Sequence, residues 1–281
     1  VGQNQQVISR ADKPGFAFTL RQWRALFLIY VQDGLAYRAQ GFIWILADAA
    51  TAIVLPLVWL AAGKGETIQG FAPRDFVSYY LGMLFLSSFV ICHFMWDIST
   101  EIREGIFSSQ IVRPISFFQF TVVRNFAWRC IRTLIFAPLL GLLILSYSSQ
   151  LAGATIYLGW QFWASLLLGH LVSVAFVTAM AMLALIVQEA QSIFELYYVP
   201  QMFLSGQLFP VNFLPQWAQQ AAKYTPFYYT VGAPTEILVG RTTPEHAGTI
   251  LLIQLAWFIG SILLFKVMFR IGMKHYTGVG M

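Results

Sequence analysis

Long apolar runs separated by short polar intervals dominate the chain. Six of them, residues 42–63, 76–98, 131–147, 158–187, 193–209 and 246–271, are candidates to cross a bilayer, which takes about 20 apolar residues in helical form. The run 158–187 is too long for one straight crossing, so part of it is expected to tilt or protrude. Pro56 and Asp48 sit inside the first run and Pro200 inside the fifth. Arg129 and Arg132 are expected to mark the cytoplasmic end of the third. Residues 20–41 have a different pattern. Leu20, Trp23, Phe27, Tyr30 and Val31 recur at helical spacing, with Arg21, Arg24, Asp33 and Arg38 between them. This predicts an amphipathic helix lying in the membrane interface, or alternatively one packed on a partner protein. Residues 1–19 are polar and expected to be a flexible cytoplasmic segment. The transmembrane domain then spans 42–271, and 272–281 form a cytoplasmic tail.

Composition supports the pattern. Hydrophobic residues make up 58% of the 281, aromatics 16% and charged residues only 10%. A soluble domain carries about 25% charged residues, so a soluble enzyme, a nucleic-acid binder and a disordered chain are excluded. The expected class is an all-α integral membrane protein with six transmembrane helices. Cys92 and Cys130 lie in or beside apolar runs and do not suggest a disulfide framework. The net charge of +5 matters less than its placement. Segments 1–41, 98–133 and 266–281 hold 13 of the 17 Lys and Arg, whereas 64–75 and 210–245 hold 4. Basic residues collect on the cytoplasmic side, so six spans with both termini inside account for the split.

Six spans leave no room for a soluble ATPase domain. The sequence has no GxxxxGK[ST] phosphate loop, no HExxH, no GxSxG and no cysteine pair at zinc spacing. The chain is expected to bind no metal or cofactor and to have no catalytic site of its own.

The stretch EIREGIFSSQIVRPIS, residues 101–116, joins the second and third runs on the cytoplasmic side. Gly105 can break one helix and Pro114 can end the next, leaving a short exposed helix suited to a groove on a soluble partner. An ordinary solvated loop fits the residues equally well. Further on, residues 203–226 read FLSGQLFPVNFLPQWAQQAAKYTP, and Pro226 opens a Pro-Phe-Tyr-Tyr run.

In that order, E-x-R-E-G before a basic residue and Pro-x-Ser, then L-S-G, F-P and L-P-x-W, resemble the permeases of type-2 ABC exporters. The segment Leu35-Ala36-Tyr37-Arg38-Ala39 resembles a sub-branch with an N-terminal interface helix. The resemblance implies half of a membrane dimer, with an identical or paralogous second permease. Each half would rest on an ABC ATP-binding subunit, which holds the ATP and Mg. It implies a coupling region at 99–116, with Glu101, Arg103, Glu104, Gly105, Arg113 and Pro114 at the ATPase. Here Ile106-Phe107-Ser108 replaces the family's usual Thr-Leu-Glu. It further implies extracellular re-entrant helices at 205–240 that cap the exit, shaped by Phe209, Pro210, Pro215, Trp217 and Pro226. The implied function is ATP-driven export of an apolar or amphipathic cargo across a bacterial plasma membrane. Lipids, and no nucleic acid, are then the expected surroundings.

Ionisable groups inside a bilayer are costly, so Asp48, His93, His170 and Glu195 are candidates for the translocation path. His93, Asp97 and Glu101 share one face if their helix is continuous, which suits a proton relay or a weak metal site, although such groups at a cytoplasmic helix end more often form a hydrogen-bonded cap. A self-contained secondary transporter or channel built on Asp48, His93, Asp97, His170 and Glu195 is the alternative. Ser165, Gly169 and Ser173 form a small-residue stripe that permits close helix packing.

Overall fold

A computed structural model describes residues 16–36, 38–112, 116–187 and 190–276, with the backbone alone at 16–19, 38–42, 44, 45, 47 and 48. Among the described residues the regular elements are all helices, joined by turns and loops, with one isolated bridge between Ile68 and Phe71. The order is α1 (Phe16–Ala36), α2 (Arg38–Gly63), α3 (Pro73–Val90), α4 (Met95–Arg103), α5 (Ile106–Ile111) and α6 (Phe117–Ser146). Then come α7 (Trp160–Ala181), α8 (Ala190–Leu204), α9 (Gln216–Lys223), α10 (Ala233–Leu238) and α11 (Pro244–His275). Pro73–Arg103, Phe117–Ser146, Trp160–Leu185 and Pro244–His275 are long and apolar enough to cross a membrane. Ala49–Gly63 is a shorter apolar stretch and α8 has 15 residues. This is an all-α membrane protein.

Local chemistry sets the helix ends. Pro73 opens α3 at a position where its missing N–H costs nothing, and Asp75 accepts from the Ala72 N–H at 2.9 Å. Ser116 and Thr243 cap α6 and α11 by accepting from Gln119 and His246 backbone N–H groups, each at 3.3 Å. Gly105, at φ 76°, turns the chain between α4 and α5 in a conformation that favours glycine.

Several expected boundaries shift. The second apolar run is not one helix through 98, because the backbone is extended at Ile91 and only α4 resumes it. His93 therefore lies in the break and does not share a continuous helix face with Asp97 and Glu101. The third run extends back to Phe117, so Arg129 and Arg132 lie well inside α6 rather than at its end. They are 2% and 9% exposed. The long fourth run becomes α7 plus a 3₁₀ turn at Met182–Leu185. The fifth ends at Leu204 and not at 209.

Helix α7 is the centre of the bundle and packs most extensively on α11, with α3, α4 and α10 around it. The small-residue stripe faces different partners. The Ser165 carbonyl accepts from Gln254 Nε2 of α11 at 3.0 Å, and Ser173 Oγ accepts from the Cys92 N–H at 3.1 Å. At Gly169 a side chain would meet the Thr230 carbonyl oxygen at 2.3 Å. One end of the bundle carries an aromatic core of Phe71, Phe76, Tyr79, Tyr80, Phe162 and Tyr229. The other gathers Met95, Ile102, Phe107, Phe117 and Phe194. Helix α1 lies along α6, with Phe27 on Phe126 at 6.0 Å and Tyr30 on Phe120 at 5.6 Å.

Candidate functional site

Three features stand apart from ordinary packing: an exposed corner, a broken helix beside a cleft, and a cap of short helices.

The corner is formed by α4 and α5. Ile102, Phe107 and Gln110 are buried, and the Phe107 ring meets Phe117 at 5.1 Å and Tyr276 at 5.4 Å. Ser108 Oγ lies 2.7 Å from the Tyr276 hydroxyl at the end of α11. The other face is open: Arg103, Glu104, Ile106, Ser109 and Val112 are exposed, Val112 by 80%. Glu101 turns inward instead. Its carboxylate accepts from Gln110 Nε2 at 3.0 Å and pairs with Arg124 of α6. The guanidinium of Arg124 also lies over the Tyr30 ring of α1, 5.8 Å from its centroid. Arg113 and Pro114 lie outside the described residues.

The break after α3 leaves carbonyls without helical partners. The fully buried Arg129 donates to the Ser88 carbonyl at 2.9 Å, placing a positive charge at the negative end of α3. His170 is buried on α7 and packs on Phe89 at 5.2 Å. These partners make an interrupted helix tolerable in an apolar bundle.

Beside the break a cleft of about 710 Å³ opens between α1, α4, α6 and α8. Helix α6 contributes Arg124, Arg129 and Arg132. The facing walls contribute Asp33, Asp97, Glu101 and Glu195. His93, Trp96 and Tyr198 form an aromatic group with centroids 5.5–6.2 Å apart.

The cap occupies 205–240 at the opposite end from the corner. A 3₁₀ turn (Val211–Phe213), α9, a π-helical turn (Tyr228–Gly232) and α10 follow each other closely. Irregular backbone needs partners when buried, and α3 supplies them. The Tyr79 and Tyr80 hydroxyls donate to the Gly206 and Leu208 carbonyls, both at 2.9 Å, and Trp59 Nε1 donates to Tyr80 at 2.8 Å. Gln254 Nε2 donates to the Tyr229 carbonyl at 2.8 Å. Phe209 packs near Trp59 and Phe203, Pro210 and Pro226 are buried, and Pro215 and Trp217 are exposed, Trp217 by 75%. Arg241 ties the cap to the loop before α3. It donates to the Gly70 carbonyl at 3.1 Å, lies 3.7 Å from Asp75, and covers Phe71 at 3.6 Å.

The family described as ABC-2 family transporter protein matches residues 46–280. The chain belongs to this family. It is thus a transmembrane permease of the ABC transporter class, a transport component. A search among curated proteins finds no match.

Within this permease, His93 and Glu195 come together in the cleft with Asp97, while His170 packs against Phe89 and is not among the residues that line it. The side chain of Asp48 lies outside the described residues. Among the described residues no three His, Cys, Asp or Glu side chains group as metal ligands would. Sequence reasoning missed Arg124, Arg129 and Arg132 as an interior set. Their spacing places all three toward one side of a single helix, which is the signal that was available. It also missed Tyr79, Tyr80 and Arg241, whose roles depend on residues more than 120 positions away.

Proposed function

We propose that this permease is the membrane half-unit of an ATP-driven exporter and that a separate ATP-binding subunit docks on the α4–α5 corner. The observation that carries the reading is the division of that corner into an anchored back and an open face. Ile102, Phe107 and Gln110 fix it to the bundle, while Arg103, Glu104, Ile106, Ser109 and Val112 face outward. Mixed charges around two apolar contacts suit the groove of a soluble partner. Arg113 and Pro114 would complete the contact.

Closure of the ATP-binding subunits, which hold the ATP and Mg, pushes on α5. The Glu101–Arg124 pair passes that push from α4 and α5 to α6 and, through Tyr30, to α1. The break at 91–94 lets α4 pivot while α3 keeps its hold on the cap. Six spans, formed by α2, α3–α4, α6, α7, α8 and α11, place both termini in the cytoplasm in agreement with the basic-residue split. Cap segment 205–240 then lies on the outer side as re-entrant helices, where Phe209, Pro210, Pro215, Trp217 and Pro226 shape the exit. Helix α1 exposes Leu20, Leu28, Ile29 and Leu35 among Arg21, Arg24 and Asp33, a mixed face suited to the membrane interface. The membrane is a bacterial plasma membrane, the second permease is identical or paralogous, and the cargo is apolar or amphipathic.

Purification from native membranes tests the reading. Expected is an accompanying ATP-binding subunit whose hydrolysis is stimulated by the permease. A chain that purifies alone and moves cargo on a proton gradient without ATP would establish secondary transport and overturn it.

A further inference from the structure

We infer that the cleft between α1, α4, α6 and α8 takes an organic cation with an apolar, aromatic-compatible body, which narrows the cargo class and rests on the export reading above. Its volume of about 710 Å³ falls within the range that holds a drug-sized ligand, roughly 300–1,000 Å³.

The charges of the cleft are divided between its walls. On α6, Arg124 is paired with Glu101, and Arg129 donates to the Ser88 carbonyl. Arg132 is 9% exposed on the same wall. The basic groups are thus buried or engaged. Across from them, Asp97 and Glu195 line the cleft with exposed side chains. Asp33 of α1, also exposed, adds a third carboxylate. The charge offered to a ligand is therefore negative, and the α6 wall repels a cation toward α4 and α8.

The aromatic group stands on the same side. Trp96 lies one residue before Asp97, and Tyr198 follows Glu195 by three positions, within one helical turn. His93, Trp96 and Tyr198 meet at steep angles, two of the pairs edge-to-face at 65° and 81°. Rings in that arrangement present faces in different directions, and an aromatic face attracts a cation most strongly when water is excluded. Carboxylates beside aromatic faces reject an anion of the same shape, because it would be desolvated next to like charge. Two independent features, sign and ring placement, therefore select the same ligand chemistry.

Tetraphenylphosphonium and tetraphenylborate have nearly the same shape and opposite charge. Binding of each to the full chain in detergent is measured by equilibrium dialysis without ATP, alongside Asp97→Asn, Glu195→Gln and Trp96→Leu. Saturable binding of the cation is expected, with the anion bound at least about tenfold more weakly. Asp97→Asn and Glu195→Gln, both at exposed positions, should each weaken the cation about tenfold. Equal binding of the two ions, cation binding indifferent to both acid substitutions, or no saturable binding, as when a second chain fills the cleft, would each overturn the inference. Absence of saturable cation binding to the native chain, with its ATP-driven transport intact, overturns this inference alone. Cation binding by a chain that transports without an ATPase overturns the export reading alone.

Discussion

Gly169 offers the sharpest test of the packing that holds the cap. A methyl group there would lie 2.3 Å from the Thr230 carbonyl oxygen, 3.3 Å from its carbon and 3.4 Å from the Tyr229 oxygen. The contacted atoms are backbone, so no side-chain rotation relieves the clash. Ordinary contact requires the π-helical turn to retreat by about 1 Å. Overpacking of this kind costs about 1–3 kcal/mol. The same retreat strains the 2.8 Å bond from Gln254 to the Tyr229 carbonyl, worth about 0.5–1.5 kcal/mol. Alanine recovers about 1 kcal/mol through helix propensity. The balance is a loss near 2 kcal/mol, or a thermal midpoint about 4–8 °C lower for a chain of this size. The assay is thermal unfolding of the purified permease in detergent at a fixed scan rate. Gly141, Gly248 and Gly260 serve as controls, since a side chain there meets nothing within 4 Å. Their alanine variants should be neutral or slightly stabilised. If Gly169→Ala behaves like the controls, the close approach of α7 to the turn is wrong.

Other consequences follow from single contacts. Tyr79→Phe and Tyr80→Phe leave the Gly206 and Leu208 carbonyls without those donors, at about 1–3 kcal/mol each. Limited proteolysis should then cut faster between 205 and 215. Arg129→Met strips the end of α3 of its donor and charge, so a loss of about 2 kcal/mol or more is expected in the same thermal assay; an unchanged midpoint would contradict the capping role. Arg241→Gln should free the loop before α3 from the cap, seen as faster hydrogen exchange at residues 63–72 with little change at α5. Tyr276→Phe removes the hydroxyl facing Ser108 and should loosen α5 by about 0.5–1.5 kcal/mol, read as local exchange there.

The sequence disclosed those parts of the fold that depend on composition and local pattern. The apolar runs, the glycine turn at Gly105 and the aromatic, proline-rich segment at 205–240 all correspond to real features. The runs did not disclose the break at Ile91, because the residues around it are apolar and carry no proline. What stabilises the break is distant: the hydrogen bonds of Arg129 and Ser173 and the ring contact of His170 come from α6 and α7. Arg129 and Arg132 were misplaced for a related reason. Charge near the end of an apolar run usually means the interface, and only the course of α6 shows them facing inward. The inward turn of Glu101 was equally hidden, since its partners Gln110 and Arg124 lie on two other helices. His93, Asp97 and Glu195 could be singled out by cost alone, but their meeting in one cleft depends on how α4 and α8 pack.

The central claim is that the α4–α5 corner receives the drive of a separate ATPase. Its most direct test is the ATPase activity of the purified complex in lipid nanodiscs, comparing the native permease with an Arg103→Ala, Glu104→Ala double variant. Both side chains are exposed, so the variant should fold normally. The account predicts that the ATP-binding subunit is lost or that its hydrolysis no longer responds to the permease and transport fails. A variant that holds the subunit, keeps its stimulated hydrolysis and transports as the native protein does would contradict it.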